Sequence, residues 1–137
     1  MKVYRPLSLA LALLFAATGV LFLFFPDDVL SLFNAISSWW GMVQSPVAGF
    51  SFYLILAVGY MYLVTILAFL MFRHPENRDF PFLLLNAKTA SSVLSLTLFL
   101  LHAHYLVYLA NFVVDGLIAI LVLVLYVSSR RLAWASS

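Results

Sequence analysis

Two charged residues, Lys88 and Asp115, lie inside long apolar stretches of this sequence. A charged side chain at the centre of a bilayer costs about 2.5 to 3.5 kcal/mol on insertion scales, so such residues usually face a protein interior, pair up and mark functional sites. The stretches that carry them are separated by a very short turn, so the two helices should be neighbours. We therefore expect either a polar clasp between two helices or a site for a ligand or an ion.

The position of Lys88 leaves two arrangements open. A direct or water-bridged contact between Lys88 and Asp115 would compensate both charges. Alternatively, the Lys88 side chain leans toward the N-terminus of its helix, the nearer membrane edge, so its ammonium can snorkel to the interface. In that arrangement Asp115 would bond to Ser92, to Ser95 or to a tyrosine.

Further polar residues share helix faces with the charged pair. At about 100° per residue, several of them form one stripe on the helix that carries Lys88. The stripe comprises Lys88, Ser91, Ser92, Ser95 and His102. On the next helix, Asn111 and Asp115 share a face with Tyr108. The predicted intramembrane polar site is therefore Lys88, Ser92, Ser95, Asn111 and Asp115.

Aromatic and imidazole side chains near these faces are candidates for contacting a ligand. They are Tyr53, Tyr60, Tyr108 and His102. A tyrosine inside a helix bundle usually finds a hydrogen-bond partner for its hydroxyl. His102 and His104 would point about 160° apart on a regular helix, so they do not form a haem or metal site by themselves. We predict no metal.

No catalytic motif accompanies these residues. The sequence has no phosphate-binding glycine loop, no nucleophile elbow and no paired-histidine zinc signature. Its zero cysteines exclude disulfides, thiolate metal sites and thiol catalysis. The net charge of +2 gives no electrostatic case for nucleic acid. We predict no cofactor, although a bound lipid or quinone is compatible with the sequence.

The composition excludes a water-soluble domain. Of the 137 residues, 66% are apolar and 9% are charged, whereas soluble domains are about 45–50% apolar and about 25% charged. A folded chain of this size hides only about two-thirds of its surface, which is too little to cover so many apolar side chains. We therefore expect an integral membrane protein, with the bilayer as its main partner.

Four stretches are long enough to cross a membrane, which needs about 20 mostly apolar residues. They run over about 6–25, 47–72, 82–101 and 105–127. Their length and the absence of alternating polarity favour helices over β-strands. The sequence therefore predicts an all-α integral membrane protein in which residues 1–137 form a single domain, an antiparallel bundle of four transmembrane helices.

Positive charges outside these stretches predict the orientation. They precede the first stretch, lie between the second and third, and follow the fourth; they are Lys2, Arg5, Arg73, Arg78, Arg130 and Arg131. The segments on the opposite side contain no lysine or arginine. The positive-inside rule then puts the N-terminus and the C-terminus in the cytoplasm. The compact chain and its charge bias favour a prokaryotic cytoplasmic (inner) membrane.

A fifth helix is predicted over about 28–40, between the first two stretches. Its apolar residues recur at helical spacing with serines and an asparagine between them. Pro26, Asp27 and Asp28 supply a stop and an N-cap before it, and the acidic pair is well placed at a helix N-terminus. Trp39 and Trp40 are anchors of the type found at headgroup depth. We expect an amphipathic helix in the outer membrane interface.

These features favour a non-enzymatic protein: an accessory or structural subunit of a membrane complex, or a helper that binds a lipophilic ligand. Partner subunits or a homo-oligomer are expected. One alternative is an oligomeric transporter or channel that uses Lys88 and Asp115. A second alternative is a lipid- or quinone-modifying enzyme, for which His102→Ala would abolish turnover while leaving the fold unchanged.

Overall fold

The computed structural model describes residues 3–46 and 51–134. Within these ranges all regular secondary structure is helical: α1 (Tyr4–Phe24), α2 (Pro26–Trp39), α3 (Ser51–Arg73), α4 (Asp79–Leu101) and α5 (Leu106–Trp134). The four helices α1, α3, α4 and α5 are long and apolar enough to cross a membrane. The predictions of an all-helical chain and of four membrane-length helices are thus confirmed.

The helices begin and end at residues that differ from the predicted boundaries. Residues 47–50, with which the second predicted stretch begins, lie outside the described residues. α5 continues beyond Val127 to Trp134, because arginine, leucine and alanine in this segment all favour a helix and the chain need not stop where the apolar run stops. The membrane-length part of α5 is Leu106–Ser128.

α2 begins at Pro26, two residues before the predicted position. The N-cap expected within residues 26–28 was wrong: Phe25 occupies the N-cap position and no side chain caps the helix there. Proline suits the first helical position because its backbone angle is already helical and it has no N–H to leave unpaired. Asp27 and Asp28 lie in the first turn, at the N-terminal end where the sequence predicts the acidic pair. Negative charge there interacts favourably with the helix dipole.

The end of α2 is closed by local hydrogen bonds. Gly41 has a φ of 65°, and the Met42 N–H donates to the Ser37 carbonyl at 2.9 Å, the arrangement of a Schellman motif. The Asn34 amide then donates to the Ser45 carbonyl and accepts from the Ser45 N–H, both at 2.8 Å. These bonds hold the segment after α2 against the helix.

The long helices pack as two pairs. α1 packs mainly against α3 and α4 mainly against α5, while α3 joins the pairs by contacting α4. α2 contacts α1 and α5, one helix from each pair. The buried apolar core includes Phe15, Val64, Ala68, Met71, Leu84 and Val122. On α3 and α4 these residues lie toward the α3–α4 connection, so the core occupies that half of the molecule.

Candidate functional site

Lys88 and Asp115 form a buried ion pair between α4 and α5. The Lys88 Nζ donates to the Asp115 Oδ1 at 2.8 Å, and the two residues are 2% and 3% exposed. Of the two arrangements that the sequence left open, the structure contains the direct contact. The pair therefore joins α4 to α5 through two buried, opposite charges.

Two aromatic rings flank the Lys88 ammonium. Its Nζ lies 4.5 Å from the centroid of the Phe15 ring and 5.1 Å from that of the Tyr60 ring. Both distances are within the range of cation–π attraction. Since Phe15 belongs to α1 and Tyr60 to α3, the ammonium lies where all four long helices meet.

The Tyr60 hydroxyl also ties the two helix pairs together. It donates to the Ala87 carbonyl on α4 at 3.1 Å. A donor bonded to a backbone carbonyl has a fixed direction, which holds the phenol ring beside Lys88. Tyr60 therefore contributes both an aromatic face and a hydrogen bond between α3 and α4.

The remaining predicted polar residues link α4 to α5. The Asn111 Nδ2 donates to the Ser91 Oγ at 3.1 Å and to the Ser95 Oγ at 2.6 Å. The Ser92 Oγ donates to the Phe112 carbonyl at 2.9 Å. All five predicted site residues thus lie along one contact between these helices, and Ser91 joins them.

The other candidate ligand contacts lie away from this cluster. Tyr53 is exposed on α3, and the Tyr108 ring packs against the Tyr105 ring with their centroids 5.5 Å apart. His102 is exposed at the end of α4. Of the four candidates, the structure therefore brings only Tyr60 to the ion pair.

A cavity of about 460 Å³ lies beside the ion pair, between the two helix pairs. This volume falls within the range of about 300–1,000 Å³ that is common for ligand pockets. Tyr60, Lys88, Ser91, Asn111 and Asp115 supply most of its polar lining. Most of the rest is apolar: Leu14, Phe15, Phe22, Leu56, Ala57, Met61, Val114 and Ile118.

The cavity is open to the outside of the bundle. Leu14 on α1 and Val114 on α5 line it, yet they are 51% and 52% exposed. Leu56 on α3 is exposed as well. In a membrane these side chains would face lipid, so the opening between α1 and α5 would connect the ion pair with the hydrocarbon of the bilayer.

The cavity and the packed core occupy opposite halves of the helices. On α3, the core contains Val64, Ala68 and Met71, whereas the cavity is lined by residues nearer the start of the helix. On α4, Leu84 lies in the core and Lys88 at the cavity. The ion pair therefore lies at the boundary between the packed apolar core and the open cavity.

Phe15 belongs to the site but was not predicted from the sequence. The chain has 13 phenylalanines, and nothing in the spacing of Phe15 distinguishes it from those that face lipid. As for metals, residues 3–46 and 51–134 contain no group of three or more histidine, aspartate or glutamate side chains placed to hold an ion. The candidate site is thus an ion pair, two aromatic rings and an apolar cavity.

Comparison with protein-family models, curated proteins and solved structures gives no match to this chain. The function must therefore be inferred from the residues of the site.

Proposed function

We propose that this protein binds a lipophilic molecule, drawn from the bilayer, in the cavity beside Lys88 and Asp115. It would act as a non-enzymatic binding helper rather than as a catalyst. The observation that carries the proposal is that a buried ion pair faces an apolar cavity that opens sideways between α1 and α5. An apolar wall with a few convergent polar groups is the usual composition of a small-molecule site.

A purely structural role would explain neither the cost of burying the ion pair nor the cavity beside it. Hydrogen bonds between membrane helices average about 0.6 kcal/mol, whereas each charge near the bilayer centre costs about 2.5 to 3.5 kcal/mol on insertion scales. Two apolar side chains would join α4 and α5 without that cost. A clasp also gives no reason for a cavity beside Lys88 and Asp115.

The proposal includes a topology. We infer an antiparallel bundle of four transmembrane helices in a single domain, with both termini in the cytoplasm of a prokaryotic cell. The positive-inside rule supports this orientation, since Arg73 and Arg78 flank the α3–α4 connection. α2 would then lie in the outer interface, with the exposed Trp39 and Trp40 at headgroup depth.

Native mass spectrometry of protein released gently from its membrane tests the proposal. We expect the unmodified chain to retain a lipophilic molecule at a defined stoichiometry. Ala57→Phe should lose it, because Ala57 lines the cavity and a phenyl ring would occupy the space. Ala17→Phe is the matched control, since Ala17 is exposed on α1 and does not line the cavity beside the ion pair.

Two results would contradict the proposal. A chain that retains no small molecule, or that retains it equally well with Ala57→Phe, would show that the cavity is not a binding site. A stoichiometric partner chain that covers Leu14 and Val114 would instead assign the protein to the accessory subunits of a membrane complex.

A further inference from the structure

We infer that the ligand of this cavity is an uncharged amphiphile with a hydroxyl headgroup, which bonds to Lys88 and Asp115 together while its tail lies along the apolar wall. This inference rests on the proposed function, because it assigns the chemical class of the molecule that the cavity binds. Long-chain alcohols, prenols and acylglycerols share this chemistry. Carboxylates, phosphates and amines do not.

The charge of the site favours a neutral headgroup. The Lys88 ammonium and the Asp115 carboxylate lie 2.8 Å apart and compensate each other. Among the described residues, no other Lys, Arg, Asp or Glu lines the cavity. An ionised headgroup would therefore bring an uncompensated charge into a low-dielectric space, which is strongly unfavourable unless a counter-charge is present.

The hydrogen-bonding capacity of the pair favours a group that both donates and accepts. A lysine ammonium has three N–H donors, and the bond to the Asp115 Oδ1 uses one of them. Among the described residues, the Asp115 Oδ2 accepts no hydrogen bond, although the side chain lines the cavity. A hydroxyl can accept from the ammonium and donate to this oxygen at once, whereas a carbonyl can only accept.

Two polar neighbours of the pair already use their N–H or O–H donors within the protein. Both N–H groups of the Asn111 amide are directed to Ser91 and Ser95, and the Tyr60 hydroxyl donates to a backbone carbonyl. Among the N–H donors of the described residues that line the cavity, those without a hydrogen-bond partner are therefore on the Lys88 ammonium. Away from the pair, the cavity wall toward the opening contains the exposed apolar residues Leu14 and Val114, which suits a hydrocarbon tail that continues into the bilayer.

Competition photo-crosslinking with the full chain in lipid nanodiscs tests the inference. The probe is an 18-carbon alcohol with a diazirine in its tail. The unlabelled competitors are the 18-carbon alcohol, carboxylic acid, amine and terminal alkene, which differ only at the head. We expect the alcohol to compete at a mole fraction about tenfold lower than any other competitor, which is the effect of about 1.4 kcal/mol.

The outcomes separate the inference from the proposed function. If the acid or the amine competes as well as the alcohol, or if the alkene does, the inference is overturned while the cavity remains a lipophilic site. If the probe labels no cavity residue and no competitor displaces it, the proposed function itself fails.

Charge variants provide a second, independent test. Asp115→Asn leaves the ammonium uncompensated, so the preference should shift toward the acid by about tenfold or more relative to the alcohol. Lys88→Gln should shift it toward the amine. Asp79→Asn is the matched control, because Asp79 is exposed in the first turn of α4, and it should keep the preference of the unmodified chain. An unchanged preference for the alcohol in both site variants would overturn the inference. If a variant does not fold, the competitor series on the unmodified chain still tests the inference.

Discussion

Gly116 on α5 lies so close to Ser92 on α4 that a Cβ atom at position 116 would be 3.2 Å from the Ser92 Oγ. The same hydroxyl donates to the Phe112 carbonyl at 2.9 Å, so it cannot move away without losing that bond. Close approach at small residues is a common way to pack helices in lipid. Here it brings α4 and α5 together next to Asp115.

Gly116→Leu should therefore destabilise the fold. Overpacking at a tight contact costs about 1–3 kcal/mol, and we expect a lower apparent Tm in detergent, measured by the loss of helical circular dichroism. Gly59→Leu is the matched control, because a Cβ at Gly59 would meet nothing within 4 Å. An equal loss of stability in both variants would contradict the close contact at Gly116.

Removing one member of the ion pair should destabilise the fold more than removing both members. Lys88→Met and Asp115→Leu each leave a buried charge without its partner, an effect of about 3–5 kcal/mol in protein interiors. The double variant leaves none, so its stability should exceed that of either single variant. Unfolding in mixed micelles of a mild detergent and sodium dodecyl sulfate measures all three. Additive losses would show that the two charges do not depend on each other.

The Phe15 ring should stabilise the fold through Lys88. The Nζ lies 4.5 Å from the ring centroid, and a desolvated cation–π contact contributes up to about 2 kcal/mol. Phe15→Leu should therefore lower stability more in the unmodified chain than in the Lys88→Met background. The difference between the two losses is the coupling energy. A coupling near zero would mean that Phe15 acts only by filling space.

Sequence periodicity predicted the helices and one face of the site, but it did not predict the cavity. The angular projection placed Lys88 and Ser92 on one face of α4 and Asn111 and Asp115 on one face of α5, because position around a helix depends only on residue number. Which other helices meet that face depends on packing between α1, α3 and the α4–α5 pair. Phe15 and the opening between α1 and α5 therefore could not be predicted from the spacing of residues.

Asn111 should contribute modestly to the contact between α4 and α5. Its amide donates to Ser91 and Ser95, and bonds of this kind average about 0.6 kcal/mol each in membranes. Asn111→Ala should lower the free energy of unfolding by about 1 kcal/mol on that basis. Asn86→Ala is the control, because the Asn86 amide donates within its own helix to the Phe82 carbonyl. Equal effects would argue against an interhelical role for Asn111.

The proposed topology can be tested by single cysteines, since the chain has none of its own. Gln44→Cys introduces a thiol in the exposed segment after α2, and Glu76→Cys introduces one in the exposed α3–α4 connection. If both termini are cytoplasmic, a membrane-impermeant maleimide added to intact cells should label Cys at position 44 and leave position 76 unlabelled. Position 76 should react only after the membrane is permeabilised. The unmodified chain gives the background, and the reverse labelling pattern would invert the orientation derived from the positive charges.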